Sequence, residues 1–234
     1  MFVKVFSDTK RIEKLAKPLS FLLGSTELDE QIFTHLGLVK HPQPILLSGH
    51  SAHQVIIDNH TLSLIKPYVG LRPDVITGIG SKVGSIKTVL TIENLASFNE
   101  AAEYSKNPND LLIIYVAGNP TPSLLAAYKR ILYFARPTAV LHWGDIDVGG
   151  FKIAARIAAT AKQEGFALSL RQMNPLEVAK NQPIMDDKKS IDTIEKLCHE
   201  FRWHDEIVGL KKHPAFQEQE NINWQPNQLQ SSSN

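Results

Sequence analysis

Residues 86–95, IKTVLTIENL, and 139–151, AVLHWGDIDVGGF, decide the fold, because each leads from an apolar strand through a polar turn into a helix. LLIIYVAGNP at 111–120 has the same form, and ALSLRQ at 167–172 supplies a last strand. Near-continuous apolar strands that alternate with amphipathic helices are typical of a parallel sheet covered on both faces. The predicted fold class is therefore α/β, with a Rossmann-like parallel sheet flanked by helices at residues 84–172.

The flanking segments are predicted to support this core. Residues 1–83 are expected to form an α/β extension that packs on it. In this extension, SDTKRIEKLAKPLSFLLG (7–24) has a helical pattern that begins near Ser7, places Ile12, Leu15 and Leu19 on one face and ends near Gly24. PILLSG (44–49) and QVIID (54–58) predict a strand pair before a short helix.

The C-terminal part is expected to be helical over residues 173–225. Its apolar residues recur at helical spacing. They are Ile191, Ile194, Leu197, Cys198 and Phe201. Residues 226–234 are polar enough to predict a disordered tail.

Composition excludes some classes of protein. The 234 residues are 43% hydrophobic and carry a formal net charge of +1, so total charge neither indicates nor excludes a nucleic-acid partner. A single cysteine excludes an internal disulfide framework and favours a reducing compartment such as the cytoplasm. No apolar run is long enough to cross a bilayer, so no membrane association is expected.

Three acids follow the predicted strands. Glu93 ends VLTIE, whereas Asp145 and Asp147 follow AVLHWG. Ligands of parallel α/β sheets bind beyond the carboxyl ends of the strands, and carboxylates with open water positions suit Mg²⁺ or Mn²⁺. Alternatively, Asp145 and Asp147 cap the helix that begins near Gly149, and Glu93 or Asn94 caps the preceding helix. The joint placement of a strand-end Glu, a strand-end Gly turn and a strand-end Asp-x-Asp-x-x-Gly in consecutive strand-helix units favours the metal site.

The same residues resemble a known family. TIENLASF, VAGNPTPSLL and HWGDIDVGGFKI are similar to the Toprim domain shared by the topoisomerase VI A subunit and its meiotic double-strand-break relatives. The resemblance is closer to the C-terminal domain of the Wadjet protein D family, a defence nuclease subunit. SDTKRIEKL and FQEQENI resemble further motifs of that family.

This resemblance implies a metal-dependent DNA endonuclease that acts on plasmid DNA. The family's catalytic, metal-binding acids fall on Glu93, Asp145 and Asp147, with Mg²⁺ or Mn²⁺ as cofactor. Gly118 and Pro120 match its Gly-x-Pro turn. Its late acidic motif falls on Glu218 and Glu220, for which a solvated tail is an equal interpretation.

The implied partners are double-stranded DNA and an SMC-like ATPase complex, and association into a homodimer is left open. The relatives carry an additional N-terminal DNA-binding arm. Because this sequence shows no counterpart, it is expected to be a fragment or a short family member.

One departure from the topoisomerase relatives bears on mechanism. Those relatives carry a nucleophilic tyrosine in an upstream winged-helix domain, which this sequence does not show. The tyrosines present suit core, helix or loop positions instead. They are Tyr68, Tyr104, Tyr115, Tyr128 and Tyr133. Hydrolysis by metal-activated water is therefore predicted.

Two further readings stay open: an inactive DNA-binding or assembly module, and topoisomerase-like cleavage with a tyrosine supplied elsewhere. A phosphoacceptor receiver domain is disfavoured, because a single acid follows the first core strand.

Basic side chains are candidates for phosphate contact. They are Lys10, Arg11, Lys129, Arg130, Lys152 and Arg156. Lys152 and Arg156 are favoured, because they lie one turn apart on the helix that leaves the Asp-x-Asp loop. His142 lies within a strand and is expected to be a core residue with its hydrogen bonds satisfied.

Overall fold

A computed structural model describes residues 13–24, 26–27, 32–36, 43–178 and 182–226, apart from the side chains of Glu13, Thr34 and Glu220. Contacts divide the chain into two units, residues 1–42 and 43–234. Ser7, Lys10, Arg11, Ile12 and the predicted tail from residue 227 lie outside the described residues.

In the first unit, a 3-10 turn at Glu13–Leu15 continues into helix α1 at Ala16–Leu22, and helix α2 follows at Ile32–His35. The backbone N–H of Leu23 closes the end of α1 on Leu19, and Gly24 then takes a positive φ of 87°. The predicted end of the helix at Gly24 is confirmed.

The second unit holds the sheet that positions the candidate site. Its strands are β1 (Ile45–Gly49), β4 (Val69–Leu71), β6 (Thr88–Ile92), β7 (Leu111–Tyr115), β8 (Ala139–Trp143) and β9 (Leu168–Leu170), in the order β4-β1-β7-β6-β8-β9. The run β7-β6-β8-β9 is parallel, whereas β1 pairs antiparallel with β7 and with β4. The central parallel strands are mostly apolar and buried, as expected for strands covered on both faces, and the predicted α/β fold class is confirmed.

A smaller antiparallel sheet is formed by β2 (His53–Ile57), β3 (His60–Ser63) and β5 (Ile76–Ser81), in the order β3-β2-β5. The predicted pairing of residues 44–49 with 54–58 is therefore wrong. Both edges of β1 are taken by β7 and β4, so β2 pairs with β3 and β5 instead. The short helix expected next is replaced by β3 and β4, because Asp58, at a positive φ of 51°, turns β2 back into a hairpin.

The helices of this unit are α3 (Leu95–Glu103), α4 (Pro122–Ala135), α5 (Val148–Gln163), α6 (Lys188–Phe201) and α7 (His204–Lys212). Of these, α3 to α6 are predicted by the sequence, and Cys198 is buried in α6 as its spacing indicates. No helix in the described part of the chain is long and apolar enough to cross a membrane.

Candidate metal centre

The carboxyl ends of the central strands lie at one level of the sheet. In the register of β6 with its two neighbours, Ile92 pairs with Tyr115 of β7 and with Trp143 of β8. The residues that follow these strands therefore emerge at the same edge. This register brings the loop that begins at Glu93 next to the loop that begins at Gly144, where the backbone N–H of Glu93 donates to Trp143 O at 3.1 Å.

The Asp-x-Asp motif lies in extended chain, as predicted. Ile146 forms an antiparallel bridge with Gln217, its N–H donating to Gln217 O at 2.8 Å. Ile146 is buried, whereas Asp145 and Asp147 on either side of it are half-buried. This alternation places the two carboxylates on the same side of the strand, away from the core.

Glu93 lies against these acids. Its Oε2 accepts the backbone N–H of Asp145 at 3.4 Å. Burial, followed by the negative charges of Asp145, Asp147 and Glu218, raises the pKa of Glu93 to about 7. Glu93 therefore lies in the negative field of three other acids, and this field makes its own ionisation unfavourable.

Helix capping accounts for part of the arrangement. Asp147 caps α5, since its Oδ1 accepts the N–H of Gly150 at 2.6 Å, and Asn94 caps α3 by accepting from Ala96 N at 2.7 Å. The alternative assignment as caps thus holds for Asp147 and Asn94. Asp145 instead accepts the N–H of Gln219 through Oδ1, at 2.7 Å.

Two glycines let the loops approach this closely. A Cβ at Gly144 would lie 2.6 Å from Glu93 Oε2 and 2.9 Å from His142 Nε2. A Cβ at Gly150 would collide with the carbonyl oxygen of Asp145. Gly144 and Gly150 of the GDIDVGGF motif are thus required by space.

The Gly-x-Pro turn also reaches the site. Gly118 has a positive φ of 67°, and its N–H donates to Glu93 O at 3.3 Å. Pro120 is buried just before α4, which Thr121 caps by accepting the N–H of Leu124 at 3.3 Å. The loop after β7 therefore holds the backbone of Glu93, as the sequence predicts for a glycine beside the site.

Sequence reasoning missed Gln219. This side chain is fully buried, and its Oε1 accepts the N–H of Asn94 at 2.8 Å while its Nε2 donates to Trp143 O at 3.0 Å. The late acidic motif was assigned instead to the residues on either side of Gln219, Glu218 and Glu220. Glu218 is exposed, and its charge contributes to the raised pKa of Glu93. The Glu220 side chain lies outside the described residues. The available signal was a glutamine flanked by acids late in the chain.

His142 is a core residue, as expected. It is fully buried, and burial lowers its pKa to about 3, so the ring is neutral. The Thr91 hydroxyl donates to Leu141 O at 3.1 Å and lies 2.9 Å from His142 Nδ1, so Nδ1 carries the proton. Among the described residues, Nε2 has no hydrogen-bond partner, and it lies on the side of Gly144. Its hydrogen bonds are therefore satisfied at one nitrogen only.

The basic candidates have different surroundings. Arg130 donates to two backbone carbonyls, Ile76 O at 2.6 Å and Pro73 O at 2.9 Å, so its guanidinium stabilises the fold. Lys129 pairs with Glu164 at 3.5 Å. Lys152 and Arg156 are exposed on α5, and Arg156 donates to Asn119 Oδ1 in the loop after β7. Lys152 and Arg156 thus place exposed positive charge on α5, the helix that Asp147 caps.

The tyrosines occupy different environments. Tyr128 is fully buried, whereas the side chain of Tyr133 is 59% exposed. Tyr115 is half-buried at the end of β7, where burial and the charge of Glu93 raise its pKa. Tyr68 packs on Phe98 with ring centroids 5.2 Å apart. The tyrosine nearest the acids is thus held protonated.

The donor set fits a hard divalent cation, because carboxylate oxygens are its preferred ligands and one Glu and two Asp carboxylates concentrate negative charge here. In the part of the chain that the structure describes, no three His, Cys, Asp or Glu side chains are already arranged to hold a metal ion. One reason is that two carboxylate oxygens already accept backbone hydrogen bonds: Asp147 Oδ1 from Gly150 N–H and Asp145 Oδ1 from Gln219 N–H.

Comparison with known proteins places the chain in a family. A family model described as Wadjet protein JetD, C-terminal, matches residues 75–228. Wadjet protein JetD of Bacillus cereus (strain Q1) is 25% identical over 157 residues, which cover 64% of this chain and 38% of that relative. The chain thus spans much less than two thirds of the relative's length. The resemblance drawn from the sequence is confirmed: because the family model covers well over half of the chain, the protein belongs to the Wadjet protein JetD C-terminal family.

Proposed function

We propose that this chain is the catalytic region of a metal-dependent DNA endonuclease of a Wadjet-type anti-plasmid defence system, with a Toprim centre formed by Glu93, Asp145 and Asp147. One observation carries the proposal. The loops that carry Glu93 and Asp145 lie side by side at the carboxyl edge of a parallel sheet, where burial and the charges of Asp145 and Asp147 raise the pKa of Glu93 to about 7. Membership of the JetD family supports the same function.

When bound, Mg²⁺ or Mn²⁺ would neutralise these acids, polarise a phosphoryl oxygen and lower the pKa of water. Glu93, Asp145 and Asp147 would hold the ion, with Glu218 close enough to add to the negative field. The exposed Lys152 and Arg156 would bind DNA phosphates beside the acids. Such contacts position a duplex without reading its sequence.

The candidate partners in this function are double-stranded DNA and an SMC-like ATPase complex of the same defence system. The family relation supports them, since the relative of this chain is itself a Wadjet protein. The cytoplasm is the proposed location, because its reducing conditions suit the free, buried Cys198.

A second candidate function is an inactive DNA-binding or assembly module with the same fold. The observation that favours it is that Asp147 serves as a helix cap and Asp145 binds the N–H of Gln219, so both acids have roles in the fold. Metal binding separates the two candidates, because the inactive module has no need of a cation.

The test is a Mn²⁺ titration of the chain by calorimetry, with Asp145→Asn and a matched control, Asp192→Asn, which changes an exposed carboxylate on α6. We expect the wild type and Asp192→Asn to bind equally and Asp145→Asn to lose binding. Equal binding by all three would refute the metal centre. Cleavage of supercoiled and linear plasmid by the complete assembly, lost on adding EDTA and in Asp145→Asn, would establish the nuclease.

A further inference from the structure

We propose that Gln219 is a positioning residue that holds the Glu93 loop and the Asp145 loop in the arrangement a cation needs. The inference rests on the proposed function and extends the site to the late segment of the chain. The buried side-chain amide of Gln219 bonds to the Glu93 loop and to the last residue of β8, and its backbone N–H bonds to the Asp145 loop.

Three hydrogen bonds carry the argument. Gln219 Oε1 accepts from the backbone N–H of Asn94, the residue after Glu93, at 2.8 Å. Its Nε2 donates to Trp143 O, two residues before Asp145, at 3.0 Å. Its backbone N–H donates to Asp145 Oδ1 at 2.7 Å. One residue therefore fixes the backbone beside one acid and the carboxylate of another.

The chemistry at this position requires an amide of this length. One end must accept from a backbone N–H and the other must donate to a carbonyl oxygen, and both partners are buried or half-buried. A carboxylate would set its lone pairs against Trp143 O, and an aliphatic side chain would leave both backbone groups unpaired. An asparagine side chain also ends in an amide, but it is one methylene group shorter than glutamine and does not have the length required here.

The segment that carries Gln219 docks through other bonds as well. The backbones of Gln217 and Ile146 exchange hydrogen bonds of 2.8 and 3.3 Å, and Ala215 bridges to Ile184. A change of the Gln219 side chain therefore leaves the segment and its backbone bond to Asp145 in place, while it removes the bonds to Asn94 N–H and Trp143 O that tie the Glu93 loop to the end of β8. Removal of a group that orients metal ligands typically lowers the metal affinity about 10- to 100-fold.

The experiment compares Gln219→Leu and Gln219→Glu with Gln217→Leu, a control in the same segment that bonds to Ile146 through its backbone. Mn²⁺ affinity is measured by calorimetry and the metal environment by electron paramagnetic resonance, while circular dichroism checks the fold. We expect Gln219→Leu to bind Mn²⁺ at least about 10-fold more weakly and with an altered resonance spectrum. Gln219→Glu should show the altered spectrum too, and Gln217→Leu should match the wild type.

The outcomes separate this inference from the function on which it rests. A wild type that binds no Mn²⁺ would overturn the metal centre itself. A wild type that binds, together with a Gln219→Leu of unchanged affinity and spectrum, would overturn the positioning role alone.

If Gln219→Leu does not fold, hydrogen exchange on the wild type decides. Mn²⁺ should slow amide exchange at Glu93–Asn94 and at residues 217–219 together. Slowing at Glu93–Asn94 without any change at residues 217–219 would overturn the inference.

Discussion

At the scale of single residues, Gly144 shows how closely the two acid-bearing loops approach. The space that its missing side chain leaves is bounded by Glu93 Oε2 on one side and by the buried ring of His142 on the other. The ring is fully buried in the sheet, whereas the carboxylate is half-buried and is the far end of a flexible side chain. Any side chain at position 144 must therefore displace Glu93.

We predict that Gly144→Ala weakens Mn²⁺ binding at least about 10-fold, because the displaced carboxylate no longer lies beside Asp145. Overpacking should also lower the free energy of unfolding by about 1–3 kcal/mol. Gly80→Ala is the matched control, since a Cβ there meets nothing within 4 Å. Calorimetric titration and thermal unfolding of both variants provide the measurements. Wild-type affinity in Gly144→Ala would show that the position of Glu93 is unimportant for the cation.

The sequence predicted that the acids of the candidate site follow strands of one parallel sheet. Glu93, Asp145 and Asp147 could be identified because strand ends of a parallel sheet share an edge. Gln219 could not, because its partners lie 125 residues away at Asn94 and 74 residues away at Asp145. No local pattern encodes such a contact. It becomes visible only when the late segment is docked on the sheet.

At the scale of elements, the helices that follow strands were predictable, whereas the pairing of the N-terminal strands was not. The helices α3, α4 and α5 directly follow Asn94, Thr121 and Asp147, each of which caps its helix with a side-chain oxygen. By contrast, the partners of β1 are set by which sheet edges remain open, a property of the whole sheet. The sequence signal for β1 and β2 was therefore right for strand and wrong for pairing.

Helix α7 lies within the segment expected to be helical, but the sequence did not show where it begins and ends. It is short, and Gly209 in its interior weakens its helical tendency. Packing stabilises it, since the Cα of Gly209 approaches Asn174 too closely for any side chain. Its sequence has acids in the first turn and lysines in the last, which suits the helix dipole.

A buried acid in α7 gives this element a pH dependence. Burial, together with the charges of Asp205 and Glu177, raises the pKa of Glu206 to about 7. Cys198 of α6 is also affected: burial and, after it, the charge of Glu206 raise the pKa of its thiol to about 12. The folded pKa of Glu206 exceeds the unfolded value of 4.5, so the folded state binds the proton more tightly. The stabilisation by the protonated acid is complete below pH 4.5 and is lost as the pH rises through 7.

We therefore predict that Glu206→Gln raises the free energy of unfolding by about 2–3 kcal/mol at pH 8 and leaves it nearly unchanged at pH 4. Glutamine stands in for the protonated acid at every pH. Urea unfolding at the two pH values measures the difference, and Glu200→Gln, an exposed change on α6, is the control. An equal effect of Glu206→Gln at both pH values would contradict the assignment.

At the scale of the whole molecule, the candidate site joins distant parts of the chain. The parallel strands supply the acids, the loop after β7 holds the backbone of Glu93, and the late segment bonds to Asp145. These contacts span residues 93 to 219, which lie within the 75–228 region shared with the JetD family. The family match therefore contains all of these residues of the candidate site.

The last prediction concerns how the phosphodiester bond is broken. Cleavage by the complete defence assembly should leave DNA ends free of protein, because Tyr115, which lies beside the acids, and the buried Tyr128 are not placed as activated nucleophiles. Activation requires a lowered pKa or an adjacent base. Tyr115, beside the acids, has its pKa raised by burial and by Glu93, and Tyr128 is fully buried.

The measurement is rapid denaturation of a cleavage reaction on labelled plasmid, followed by separation of free DNA from protein-bound DNA. We expect all label in the free fraction, for the wild type and for Tyr115→Phe alike, with cleavage abolished by EDTA. Asp145→Asn should yield no cleavage in the same assay. Label that stays on the protein in the wild type and is lost in a tyrosine variant would replace hydrolysis by a topoisomerase-like transfer, because hydrolysis leaves no covalent phosphotyrosyl intermediate to trap.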